Sequence, residues 1–222
     1  MLIQTNKSGL VAKPFAPQVP LAVLSLAGAL PDVTFFLLQF LGIETFNFDA
    51  AIAKRGCFPL SNDYPYSHSL AGMIGFGALL PVLYKQFARV SATSKEMIVI
   101  MTKLCHTTPQ HSAWLFDSPL ATFVLENVVF FAGLWVYRTF APLASQIGIQ
   151  NNPRLPTIVA VVMILQQAHF CFGAAPTYET RWVHAPAVLL EILGSCYLLG
   201  MLDGRTKTVC IDVSSNLKKH AN

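Results

Sequence analysis

The sequence predicts an all-α protein: a polytopic bundle of transmembrane helices in a single membrane domain, residues 1–222. Three observations carry this. The 222 residues are 54% hydrophobic and only 12% charged. The mean hydropathy is +0.51. A soluble domain spends about a quarter of its residues on charge, and no soluble core of this size could bury so much apolar surface. Lipid removes the difficulty, because apolar side chains can face outward as well as inward. The apolar residues are also gathered into runs of spanning length, with short polar termini at either side.

The first run is Leu21 to Ile43, 23 residues, long enough as a helix (~34 Å) to cross a hydrocarbon layer of about 30 Å. No typical signal peptide precedes it: Lys7 and Lys13 lie in a stretch without a long apolar core, and the run itself exceeds a signal core, so it is expected to remain as a span. Pro31 at its middle predicts a kink or break. Residues 44 to 67 are rich in Asp, Asn, Gly and Pro, which predicts an ordered loop or interfacial hairpin, not another span. Tyr64 and Tyr66 suit headgroup depth.

A second span is expected from His68 to about Tyr84, with Gly72, Gly75 and Gly77 narrowing one flank for close helix contact. Lys85, Arg89 and Lys95 form the clearest basic connection, expected on the cytoplasmic side. Met97 to Cys105 is too short to cross alone and runs into the polar stretch His106 to His111. It is read as a short or irregular third segment. Firmer spans follow at Pro119 to Phe140, Leu155 to Pro176, and about Ala185 to Leu202. Six crossings bring both termini to one side and gather Lys85, Arg89, Lys95, Arg138, Arg154 and the basic tail together, as the positive-inside rule favours.

The +4 net charge is scattered. It forms no dense basic patch, which argues against a nucleic-acid partner. The expected partners are the bilayer and a lipid-associated substrate; a homo-oligomer is compatible with the chain, but no residue pattern asks for one. The five cysteines show neither disulfide nor metal-ligand spacing. There is no GxSxG elbow, HExxH helix or P-loop, and no internal repeat of a two-half transporter.

Chemistry is expected at polar residues inside apolar runs. Asp32 stands near mid-bilayer, where an ionised carboxylate costs several kcal/mol unless paired, hydrated or metal-bound. It either serves as a ligand or catalytic group, or caps the half-helix that follows the Pro31 break. His68, between Ser67 and Ser69, can bind zinc or exchange a proton. A metal site needs at least three protein ligands; His106 and His111 are the first candidates to complete it, with Asp117 close by. Glu126, early in a span, is a candidate base. Gln166, Gln167 and His169, and Glu191 in the last span, suit polar contacts between helices.

The segments "ALPDVTFF", "DYPYSHSLAGMIGFGALL" and "SPLATFVLENVVFFAGLWVY" resemble a family of small membrane-bound proteins classed as metal-dependent hydrolase-like. Its PD motif falls on Pro31-Asp32 and its SHS motif on Ser67-His68-Ser69; the similarity runs from about Gly9 through the final span. Two family features are absent: a histidine within residues 1 to 12, and a third-span HWxxD motif. The resemblance implies a membrane hydrolase using a divalent metal, most plausibly zinc, on a lipid-associated or phosphorylated substrate. Asp32, His68 and His106 or His111 would be the ligands, with Glu126 relaying a proton. Tyr66, Ser67 and Ser69 would orient the substrate. The alternatives are a catalytically inactive structural or partner-binding protein and a small transporter.

Overall fold

The computed structural model describes residues 4–48, 60–63, 66–67, 72, 75, 78–79, 82, 118–173 and 178–204. They form α1 (Gln4–Ala12), α2 (Leu21–Phe40), β1 (Thr45–Phe48), β2 (Leu60–Asp63), α3 (Pro119–Phe140), a 3-10 turn (Leu143–Ser145), α4 (Ile147–Asn151), α5 (Leu155–Phe172) and α6 (Arg181–Asp203). Four of these helices, α2, α3, α5 and α6, are long and apolar enough to cross a membrane. The architecture is a helical bundle of the polytopic membrane kind, with one small ribbon in a connection.

The outward faces of these helices are what lipid demands. On α3 the exposed large side chains are Leu120, Val124, Val128, Phe131 and Trp135, spaced three or four apart, so one apolar stripe faces away from the bundle. Leu190, Leu193 and Tyr197 do the same on α6. The inward faces meet in one core that includes Leu21, Phe35, Phe36, Phe130, Tyr137, Val159, Met163, Ile192 and Leu199.

α2 and α6 pack antiparallel. At one end Asp203 accepts the Leu21 N–H at 3.0 Å; at the other the Phe40 and Trp182 rings meet edge to face at 4.9 Å. We call the end where α2 begins proximal and the end where it finishes distal. α3 starts distally, where Phe123 lies 5.6 Å from Phe172 at the end of α5. It finishes proximally, where the Tyr137 hydroxyl donates to the Ser145 carbonyl and Ser145 Oγ donates to the Pro17 carbonyl at 3.4 Å. Gly148 of α4 lies directly against the Met201 and Leu202 carbonyls. α6 then ends on Gly204, whose φ of 71° gives the left-handed cap that glycine adopts without strain.

Two expectations are corrected. α2 runs unbroken through Pro31, so Asp32 lies inside a helix and caps no half-helix. Proline removes one N–H, leaving the Ala27 carbonyl without its donor. Breaking the helix there would unpair further backbone groups inside an apolar bundle, so the helix persists. The residues before Leu21 are also more than a polar terminus: α1 packs on α2 and α3, with Lys7 and Lys13 buried.

The connection after α2 is the expected hairpin. β1 and β2 pair antiparallel, Thr45 opposite Asp63 and Phe48 opposite Leu60. A two-stranded ribbon has two open edges, which hydrocarbon does not tolerate, so this ribbon belongs to the headgroup or aqueous layer at the distal end. Of the expected second span, Gly72, Gly75, Ala78, Leu79 and Val82 have helical backbone. The third segment, Met97 to Cys105, lies outside the described residues.

Candidate functional site

Among the described residues four carboxylates are buried: Asp32, Glu44, Glu126 and Asp203. Two are neutralised by the N-terminal segment. Lys7 Nζ donates to Glu126 Oε2 at 2.7 Å and to the Glu126 carbonyl, also at 2.7 Å. Lys13 Nζ donates to Asp203 Oδ2 at 2.7 Å and to the Val19 carbonyl at 2.6 Å. Asp203 Oδ2 also accepts the first amide of α2, a helix N-terminus that has no side-chain cap of its own. Each pair therefore satisfies backbone groups as well as opposite charge, the condition under which a buried ion pair is tolerated.

Glu44 does a different job. Its Oε1 accepts the N–H groups of Tyr66 at 2.8 Å and Ser67 at 2.9 Å. The Glu44 amide in turn lies 3.4 Å from the Leu38 carbonyl, which sets Glu44 alongside the last turn of α2. The carboxylate thus clamps the turn immediately before His68 onto the distal end of that helix.

Asp32 is 2% exposed and takes part in a polar interaction. It stands eleven residues into α2, about 16 Å along the axis, near the centre of a hydrocarbon layer about 30 Å thick. Leu38 is six residues further on, ~9 Å along the same axis.

Of the expected site residues, Asp32, Tyr66, Ser67 and Glu126 are described: the first and last in the bundle, the other two in the clamped turn, with Tyr66 exposed and Ser67 buried. His68, Ser69, His106, His111 and Asp117 lie outside the described residues. Glu126 meets Lys7, a partner the sequence reading did not assign to it. Among the described residues no three His, Cys, Asp or Glu side chains converge as a metal cage would.

The polar residues of the last two spans do hold helices together. Ser195 Oγ donates to Gln166 Oε1, and His169 Nδ1 lies 2.8 Å from Glu191 Oε1. Gln167 Nε2 reaches Cys171 Sγ on its own helix at 3.3 Å. Sequence reasoning missed Lys7, Lys13, Glu44, Asp203 and Gln39, the last buried in α2. Only Gln39 carried a usable signal, a long polar amide inside an apolar run. The others sit in polar stretches where exposure is the ordinary expectation.

No family model matches the chain, and neither does any curated protein or solved structure.

Proposed function

We propose that this chain is a membrane-embedded metal-dependent hydrolase acting on a lipid-associated or phosphorylated substrate, with its reaction centre at Asp32. The observation that carries the reading is a buried carboxylate midway along α2, a helix at whose distal end Glu44 holds the turn just before His68 in place. A carboxylate at such a depth is tolerated when it is paired, hydrated or metal-bound, and a cation is one of these ways. Asp32 is the one expected ligand among the described residues; His68 with His106 or His111 would complete the set. A divalent ion held there lowers the pKa of bound water and polarises the scissile group. The chain's own contribution is to orient the substrate through Tyr66, Ser67 and Ser69 at the headgroup layer. Glu126 fits the scheme least, because Lys7 Nζ already occupies its Oε2 at 2.7 Å.

The reading includes six crossings. α2 finishes and α3 begins at the distal end, so the chain between them crosses an even number of times. One crossing through the helical positions Gly72, Gly75, Ala78, Leu79 and Val82 then requires a second, within 83–117. It also brings Lys85, Arg89 and Lys95 to the proximal end with Arg138 and Arg154, the arrangement expected of a cytoplasmic face.

The test is metal analysis of the purified protein beside Asp32→Ala and His68→Ala, with hydrolysis of phosphorylated lipids followed in parallel. Loss of about one equivalent of metal in both variants supports the site; unchanged metal in both rejects these residues as ligands. The two buried Lys–carboxylate pairs favour a second reading, a non-catalytic bundle whose polar residues tie helices together. A folded wild-type protein free of metal and of hydrolytic activity would point there.

A further inference from the structure

Three polar residues of α2 fall at intervals of seven: Ser25, Asp32 and Gln39. Seven residues is close to two helical turns, so they form one stripe, and all three are buried, at 0%, 2% and 1% exposure. Within that stripe Ser25 Oγ, Gln39 Nε2 and Gln39 Oε1 have no hydrogen-bond partner, and beyond the helix end Glu44 Oε2 has none. Arg181 Nε is unpartnered at the same end. A Cβ placed on Gly42 would stand 4.0 Å from that nitrogen, and the Gly42 amide donates to the Gln39 carbonyl. Both polar side-chain atoms of Gln39, with Glu44 Oε2 and Arg181 Nε, are thus orphaned at the distal end of α2, while Ser25 Oγ and Asp203 Oδ1 are orphaned at the proximal end.

A buried amide or carboxylate without a partner costs several times what a satisfied one does. In a membrane interior water is the remaining means of satisfying it. We infer that water occupies the distal half of this stripe, running from the headgroup layer past Glu44 and Gln39 to Asp32. The inference rests on the hydrolase reading for its purpose: a reaction that consumes water at mid-membrane depth needs a supply route through hydrocarbon.

The proximal half is shut. A Cβ on Gly9 would lie 2.5 Å from Ser25 Oγ, 2.8 Å from its nitrogen and 2.9 Å from its Cα. Where a methyl group cannot stand, a water molecule cannot pass. The α1 backbone packed on Ser25 leaves its Oγ without a partner and also without room for water, so the route is blind there. It delivers water to Asp32 without opening a path across the bilayer, which separates it from a conducting pore.

The experiment uses full-length protein in lipid nanodiscs, with its own cysteines replaced and single cysteines introduced as Gln39→Cys, Leu37→Cys and Ser25→Cys. The probe is the membrane-impermeant reagent sulfonatoethyl methanethiosulfonate. It reacts with thiolate, which forms only where water reaches the sulfur, so Gln39→Cys should react about tenfold or more faster than the other two. Leu37 is the matched control, two residues away but half exposed on the lipid-facing side. In the unsubstituted protein, a cross-peak between water and the Gln39 side-chain amide, assigned by its loss in Gln39→Leu, reads the same hydration without a cysteine. That cross-peak alone supports a file narrower than the reagent. A Gln39 thiol as slow as that at Leu37, with no water cross-peak, overturns the inference. A fast Ser25 thiol overturns the blind end. These readouts do not depend on bound metal, so a wet stripe in a metal-free protein would fail the hydrolase reading and leave the water route standing.

Discussion

A lysine at position 7 or 13 reads as an ordinary soluble flank until its surroundings are known. Lys7 is 2% exposed and Lys13 0%, and each holds a carboxylate that has no water to fall back on. Removing one member of such a pair strands the other. Lys7→Met and Lys13→Met should each lower stability by about 3–5 kcal/mol, measured as denaturant-induced loss of helical signal in detergent. The double variants Lys7→Met/Glu126→Leu and Lys13→Met/Asp203→Leu should recover most of that loss, because an apolar pair of similar volume is often as good as a buried ion pair. A double variant no better than the single would show that backbone satisfaction, at the Glu126 and Val19 carbonyls or the Leu21 amide, outweighs charge.

Between elements, two close approaches set the packing. α1 crosses α2 where Gly9 meets Ser25, with no room for a side chain. Gly9→Ala should push the helices apart and cost about 1–3 kcal/mol, the usual penalty of overpacking, seen as a lower midpoint in the same unfolding assay. Gly148→Ala should cost more, since its methyl would meet the rigid Met201 and Leu202 carbonyls. At the distal end, Glu44→Ala takes away the acceptor of the Tyr66 and Ser67 amides. The expected result is faster amide exchange at 66 and 67 and, under the proposed function, weaker metal binding with little change in overall helicity. Exchange at those amides unchanged from wild type would show that the turn is held by other means.

At the scale of the molecule, contacts at the span ends set the directions of α2, α3 and α6 relative to one another, and this makes the topology testable. Cysteines at Asn152 and at Arg89 should label from one side of the membrane, and those at Ser118 and Glu179 from the other. If Arg89→Cys labels together with Glu179→Cys, the chain between α2 and α3 does not follow the six-crossing path.

The sequence by itself determined the solvent and most of the spans. Pro119 to Phe140 is found with both bounds as expected, and Leu21 and Leu155 open their helices as expected. Hydropathy is a sum over neighbours in the chain, so a run of apolar residues announces its own environment. The hairpin after α2 was legible for the same local reason, in its Asn, Asp, Gly and Pro. Asp32 stood out because a charge inside such a run is costly wherever the rest of the chain lies. Tertiary structure alone decided what meets each charge. Lys13 and Asp203 are 190 residues apart, and Lys7 and Glu126 are 119 apart; nothing local to either member names the other. The continuity of α2 through Pro31 was decided the same way, since whether one missing hydrogen bond breaks a helix depends on what packs around it. A local pattern reports which residues must leave water. Which polar groups leave it together is fixed only when the helices pack.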